Sequence, residues 1–435
     1  MSDAARRIWD VSMPVRNGGL VYPGNPPIAT ATDLRNGLLS TLGKGLAPQP
    51  VPALVTFQYH AQIPSSWQWQ AGFQKALPFA MVGDVMYVGN HGYNRLGSLQ
   101  GGTQQPINMV DFGAAYLGKN QDPTLGTATY PGQTAYPTNL LRPFLGFNTI
   151  GQNTTGFYDT YHSIQMTLNR RFGRGFSFGA NYTYGISLKG NTGLNQRYQH
   201  AADGTISLRS DEQAYENLMS TLDRRPHFLK ANLIWLSPGI KGNSVLEQLT
   251  KDWQIASVMT ASSGGAYTPG YSYNTAGSNV NITGSPDWGG RVILGNNLGS
   301  GCSSNQFQQF NGTAITGPTY GSLSMESGRN YLRYCPNKNV DMSITRRISF
   351  GKIFTETRRL EFRADIFNAL NTVVINAVST TATFNSPTGM ALQNNQYNGD
   401  GSINAARLQP KNAGLGAATG AQTMRNLQLQ LRFQF

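Results

Sequence analysis

The chain has 435 residues; only 13% are charged, about half the usual globular share, while Gly (50 residues) and small polar residues abound and aromatics make 11%. This composition excludes a disordered segment and a helix-rich enzyme, and the lack of any apolar run near the ~20 residues a membrane helix needs leaves a closed β-barrel as the only way to span a bilayer. The net charge of +13 comes from 34 Lys and Arg spread thinly along the chain, with the densest pairs (Arg170-Arg171, Arg224-Arg225, Arg346-Arg347, Arg358-Arg359) at expected strand ends. That spread argues against nucleic acid as a partner and for head groups at a membrane surface.

Residues 1–50 are rich in Pro, Gly and Asn without a sustained period and read as irregular loop; their first residues hold no apolar h-region and do not read as a signal peptide. One strand is expected within 51–59. Trp67, Trp69, Ala71 and Phe73 alternate with Gln68, Gln70 and Gln74, and a turn at Leu77-Pro78 leads into Phe79, Met81, Gly83, Val85 and Tyr87 at every second position. This is the pattern of a tight hairpin. After a long polar stretch, Ile164, Met166 and Leu168 alternate with Gln165, Thr167 and Asn169, FGRG makes a turn, and Phe176, Phe178, Ala180, Tyr182, Tyr184, Ile186 and Leu188 continue the alternation. Leu229, Ala231, Leu233 and Trp235 form the next strand, linked through Pro238 and Gly239 to Trp253, Ile255, Met259 and Ala261. Val340, Met342, Ile344, Ile348 and Phe350 then turn at Gly351 into Leu360, Phe362, Ala364 and Ile366. The chain closes on NLQLQLRFQF, where Leu427, Leu429, Leu431, Phe433 and Phe435 alternate without a break against Gln428, Gln430, Arg432 and Gln434. Period two puts all the apolar residues of a strand on one face.

Strand directions, counted back from Phe435, put every short turn (near 78, 174, 244 and 354) on one side and every long loop (91–160, 189–223, 265–337 and 373–422) on the other. A sandwich has no reason to sort its loops; an outer-membrane barrel has short periplasmic turns and long external loops. Trp67, Trp69, Tyr87, Tyr161, Trp235 and Trp253 are expected in an aromatic girdle near strand ends. The fold class is therefore all-β, an antiparallel transmembrane β-barrel, with 51–435 contributing about ten strands.

Six segments in order, YDTYHSIQMTLNRRFGRGFSFGANYTYGIS, DRRPHFLKANLIWLSP, LTKDWQIASVMTASSGGAYTP, NVDMSITRRISFG, RRLEFRADIFNALNT and NLQLQLRFQF, resemble the barrel of TonB-dependent outer-membrane receptors. The Oar-like branch, whose longer members carry a carboxypeptidase-regulatory-like module, is the nearest in pattern. The resemblance covers roughly 50–435. It implies a signal peptide, a plug domain that contacts TonB and roughly 22 strands, and this chain matches only the C-terminal part of such a barrel, with no plug and no signal peptide in the sequence. The expected location is the cell outer membrane. The expected partners are its lipid and lipopolysaccharide, the plug and TonB through the missing N-terminal part, and a small ligand that the sequence does not name.

The inward, polar half of the strands gives the lumen-facing candidates Gln165, Asn169, Arg171, Lys230, Asp341, Arg347, Glu361, Arg363, Asp365 and Arg432, alternatively a hydrated wall that satisfies itself and contacts the plug. In the 340–366 hairpin the alternation sets Arg347 against Glu361 or Arg363, and an Arg347–Glu361 cross-strand pair is expected. Cys302 and Cys335 are the only cysteines and share one external loop, where a disulfide is expected, the alternative being two free thiols. Two Cys without nearby His fall short of a metal site. The five His form no HExxH and no cluster, and no GxSxG or Walker A segment is present, so neither an enzyme nor a cofactor is expected. GLGAATG (414–420) precedes a strand and reads as loop; NGDGSIN, with one carboxylate (Asp400) and Gln409 in place of the twelfth-position Glu, reads as a polar turn rather than a calcium loop. Tyr267, Tyr271, Tyr273, Trp288, Tyr320 and Tyr331 are candidate ligand-contacting loop aromatics, able to stack on sugars or a siderophore, or alternatively to pack loop against loop. Uptake of a scarce ligand such as a siderophore or oligosaccharide is the leading function; a non-transporting adhesion or matrix protein and a soluble all-β binding module are the alternatives.

Overall fold

The computed structural model describes residues 54–97, 105–145, 147–191, 225–240, 242, 244–274, 282–353 and 356–434, together with short strand pieces at 15–16, 19–20, 198–200 and 206–208. The irregular reading of 1–50 lies outside the described residues, except that Val15–Arg16 pairs with Gly19–Leu20.

Nine strands form one antiparallel meander, each paired with its neighbours in sequence: β1 Ser65–Leu77, β2 Met81–Gly97, β3 Ile150–Gly173, β4 Phe176–Asn191, β5 His227–Pro238, β6 Lys251–Ser262, β7 Asn337–Ile353, β8 Glu356–Phe367 and β9 Asn426–Gln434. The sheet is one wall and is not closed: β1 and β9 are its edges. The register keeps like with like. Opposite Glu361, Arg363 and Asp365 on β8 stand Arg432, Gln430 and Gln428 on β9, while Phe362, Ala364 and Ile366 face Leu431, Leu429 and Leu427. Because the side-chain period is two, a one-residue slip anywhere would exchange the faces, so matched parity across nine strands means the pattern sets the register.

The partner row Met81, Arg170, Phe178, Leu233, Ser257, Met342, Ile366 and Leu427 begins beside a tight turn and ends near the opposite rim. This climb is the stagger that tilted barrel strands require. The apolar face it traverses is open: Leu429 is 65% and Leu431 69% exposed. A water-soluble protein does not leave a surface of this extent uncovered; lipid is the medium that fits it.

The short connections are built for reversal. Arg174 and Gly175 both take positive φ (51° and 76°) between paired Gly173 and Phe176, the geometry whose twist suits a two-residue hairpin. A Cβ on Gly175 would lie 2.6 Å from the Leu236 carbonyl oxygen, so glycine is required there. Several boundaries differ from expectation. The strand at Leu54–Phe57 does not cross the sheet but pairs in parallel with the upper end of β3. Strands β2 and β3 run on to Gly97 and back to Ile150, because their pairing continues past the apolar section. The β7–β8 hairpin pairs through Lys352 and Ile353, so Gly351 lies within a strand. The connection after β5 contains a helix, α1 (Ser244–Thr250), where a plain turn was expected. Tyr87 lies well inside β2, and Tyr161 shares the polar face, opposite Asn90 and two residues from Ser163, so neither belongs to a rim girdle on the apolar side.

Among the described residues most of the packed core lies outside the sheet. The largest fully buried side chains, Phe112, Phe147, Phe384, Leu332, Val110 and Val292, all belong to the three long connections that gather beyond one rim.

Candidate ligand-contacting vault and polar wall

The described parts of the loops between β2 and β3, β6 and β7, and β8 and β9 form a vault tied together by short strand pairings. Gly270–Tyr273 of the second loop pairs in parallel with Thr381–Phe384 of the third, and Ala266–Tyr267 pairs with Leu332–Arg333. One apolar cluster joins Tyr267, Val292, Phe310, Ile315 and Leu332 of the second loop to Ala382, Phe384 and Leu415 of the third. A smaller one stacks Phe112 of the first loop on Trp288 of the second, ring centroids 5.2 Å apart.

A buried ion pair fastens the first loop to the second. Arg142 grips Asp287 with two parallel hydrogen bonds of 2.9 and 3.0 Å, and their side chains are only 5% and 12% exposed. Arg142 also donates to the Asn108 carbonyl, and Asp287 accepts the Val110 N–H at 2.8 Å. Asn108, fully buried, donates to the Asn148 carbonyl at 2.7 Å and accepts the Phe144 N–H at 2.7 Å. The forked guanidinium meets a carboxylate bidentately here, and backbone groups add the Asn108 carbonyl on the arginine and the Val110 N–H on the aspartate, while the Arg142 Nε makes no hydrogen bond. Sequence reasoning missed all three residues: partners this far apart leave no local signal.

Within the second loop Cys302 and Cys335 are bonded, with Cα atoms 4.8 Å apart. Asp400 accepts hydrogen bonds from the Ser402 N–H and hydroxyl, closing a small polar turn. Among the described residues no three His, Cys, Asp or Glu gather in a way that could hold a metal ion.

The six loop aromatics divide. Tyr267 (7% exposed) and Trp288 (8%) are part of the vault's own core, and Tyr267 donates to the Gly301 carbonyl. Tyr267 is therefore not a ligand-facing ring, and Trp288 offers at most an edge; burying these large rings between loops removes more apolar surface from water than leaving them at the mouth. Tyr273 donates to the Pro318 carbonyl, and Tyr331 packs against the same core. Tyr271 and Tyr320 are better placed. Tyr271 accepts the Gly290 N–H at 3.0 Å, and Tyr320 lies parallel to Tyr130, centroids 6.5 Å apart. Tyr130, Gln133, Tyr136, Tyr271, Ser285 and the rim of Trp288 line a cavity of about 390 Å3, within the size range of small-molecule sites. Burial raises the Tyr271 and Tyr320 hydroxyls above their ordinary value, with Glu326 adding to the effect at Tyr271. Both are neutral phenols at physiological pH, able to donate as well as accept.

Below the vault runs the polar wall. Arg347 and Glu361 are register partners with Nε and Oε2 2.7 Å apart, and Arg432 stands on the other side of Glu361. Arg363 pairs along its own strand with Asp365 at 2.9 Å. Asp341 accepts from Asn339 at 3.0 Å and from the Asn368 N–H at 2.9 Å. Gln165 faces Met86 and Thr183, Asn169 faces Val82 and Gly179, and Lys230 faces Thr260 and Asn181, all with the parity of the polar face. Arg171 sits where pairing slips beside the tight turn and is exposed. Where wall meets vault, Lys338, Asn339, Asp341, Asn368 and Arg425 help line a cavity of about 570 Å3. The wall carries both acidic and basic groups.

The model of a family described as Outer membrane beta barrel domain matches residues 13–428. No curated protein matches. Among solved structures, the outer membrane transporter YddB from Escherichia coli is 12% identical, with a TM-score of 0.36 over 79% of this chain and 33% of that one. A mutant of the ferric enterobactin receptor PfeA from Pseudomonas aeruginosa is 12% identical, with a TM-score of 0.34 over 85% and 31%. Another PfeA mutant, in complex with enterobactin, is 13% identical, with a TM-score of 0.33 over 85% and 31%. The chain thus spans about a third of the length of these structures.

Proposed function

Because the chain belongs to the outer membrane beta-barrel domain family, we propose that it is the C-terminal portion of a TonB-dependent uptake receptor of the Oar-like branch. Its vault contacts a scarce small ligand, a siderophore or oligosaccharide, which then passes along the polar wall. The observation that carries this reading is the open sheet: lipid does not tolerate the unpaired edges of β1 and β9, and further strands beside them would close a larger, pluggable barrel. The cavity at Tyr130, Tyr136 and Tyr271 supports a ligand with flat or sugar-like faces. Plug and TonB enter as parts of that larger receptor.

A second reading, a surface adhesion protein whose loops bind partners without transport, draws support from the burial of Tyr267 and Trp288 in a self-packed vault. Growth separates the two. Cells lacking the gene, and cells lacking TonB, are grown with iron or a complex polysaccharide limiting, and their outer membranes are immunoblotted with serum against 265–337. Uptake predicts a shared growth defect on one nutrient and a band well above 47.3 kDa. Normal growth on both nutrients, with surface attachment lost in the deletion alone, would establish adhesion instead.

A further inference from the structure

The link between β5 and β6 carries an unusual surface. Ile240 ahead of a short helix at the periplasmic rim, and Val245, Leu246 and Leu249 on it, are 58%, 64%, 47% and 55% exposed. The helix is firmly held. Its terminal carbonyls are taken by side chains: Leu246 by the Thr250 hydroxyl (2.7 Å), Gln248 by Arg346 Nη2 (2.6 Å) and Leu249 by the Trp253 indole N–H (2.8 Å). Cations and donors at this end also complement the helix dipole. Trp253 and Arg346 are register partners of apolar-face parity, as are Trp235 and Ile255. Helix α1 therefore folds back over the lipid side of the wall, leaving an apolar groove of about 500 Å3 lined by Trp235, Pro238, Ile240, Leu249, Trp253 and Ile255.

Two guanidiniums flank the groove. Arg346 lies over Trp253, 5.2 Å from the ring centroid, and Arg170 lies over Phe176 at 4.9 Å, with Phe176 paired to Trp235. Among the described residues neither has a carboxylate partner, and the Nε atoms of both lack a hydrogen bond. The nearby acids are Glu247, beside Gly239, and Asp252 at the exit of the helix.

We propose that this groove holds a phospholipid of the periplasmic leaflet, an acyl chain lying between α1 and the Trp235–Trp253 surface and an anionic head group between Arg170 and Arg346. The groove is continuous with a surface already in lipid, its tryptophans have the amphipathic character of the membrane–water interface, and arginine binds phosphate at such a boundary.

The test uses the intact outer-membrane protein. A fluorophore on Val245→Cys is read in vesicles containing acyl-chain nitroxide lipids, and lipid adducts of the parent, Leu249→Glu and Arg346→Gln proteins are counted by native mass spectrometry against phosphatidylglycerol and phosphatidylcholine. The expected result is a quenched fluorophore and one phosphatidylglycerol retained at least tenfold over phosphatidylcholine. Leu249→Glu loses the adduct, and Arg346→Gln keeps an adduct without the head-group preference. An unquenched fluorophore in water, energy transfer between copies showing that a second chain covers the groove, or equal retention of both lipids in the parent would each overturn the proposal. The quenching measurement stands even if Leu249→Glu fails to assemble.

Discussion

Asp287→Ala is the substitution that most directly tests how the vault is held. It leaves the Arg142 guanidinium, 5% exposed, without its carboxylate, and leaves the Val110 N–H without its acceptor. Removing one partner of a buried ion pair costs about 3–5 kcal/mol, because the remaining charge stays desolvated and unpaired. At about 1.4 kcal/mol per decade this is between roughly a hundredfold and a few thousandfold in the opening equilibrium. Hydrogen exchange, read by mass spectrometry on peptides covering 105–145 and 282–290 in the detergent-solubilised protein, reports that equilibrium directly. Peptides within β3 and β8 serve as internal controls and keep their protection. The double variant Arg142→Met/Asp287→Leu, which buries no charge, is expected to be less perturbed than Asp287→Ala. A change within about 0.5 kcal/mol for Asp287→Ala, the size expected at an ordinary surface site, would refute the clamp.

The face assignment makes a paired prediction at neighbouring positions. Leu429→Arg puts a charge on the lipid side and destabilises the barrel by about 2–4 kcal/mol in urea unfolding from vesicles, whereas Gln428→Arg, opposite Asp365, is tolerated; equal effects would mean the faces are misassigned. Arg347→Ala breaks an ion pair whose arginine is 55% exposed, and the same assay should register less than about 1 kcal/mol. Burial pushes the Tyr116 and Tyr331 hydroxyls up to about 12 from 10.0. Their contribution to vault stability is complete below pH 10 and is lost as pH rises through 12, so protease sensitivity of the loops should climb across that window ahead of strand unfolding. Loops as resistant at pH 12 as at pH 9 would contradict it.

The strands were legible because each residue pair reports its own face: the unbroken alternation of 426–434 and its neighbours fixes parity, and parity fixes pairing. The Arg347–Glu361 contact follows from the same arithmetic, since a hairpin sets its own partners. Helix α1 escaped because its seven residues carry too few turns for a period, and the flanking Pro238-Gly239 and the strands on either side argue for a plain turn. Its trace was the spacing of Val245 and Leu249, four apart beside Trp253. The vault was illegible for a different reason. A tyrosine in a polar loop has the same local sequence whether it lines a cavity, as Tyr271 does, or packs into a core of loops, as Tyr267 does. Only the position of distant segments decides.

That distance also orders events in time. Every pairing of the meander is between consecutive strands, and four of the eight close over short links. The vault is joined across far longer spans: 145 residues separate Arg142 from Asp287, and 111 separate Ser272 from Thr383. Loop-closure entropy must be met before such contacts return anything, and contact order sets the speed. Strand pairing lowers that entropy by bringing the loop ends to one rim, so the vault can lock only after the wall beneath it stands. The loops therefore take their shape last, after strand pairing has gathered their ends at one rim.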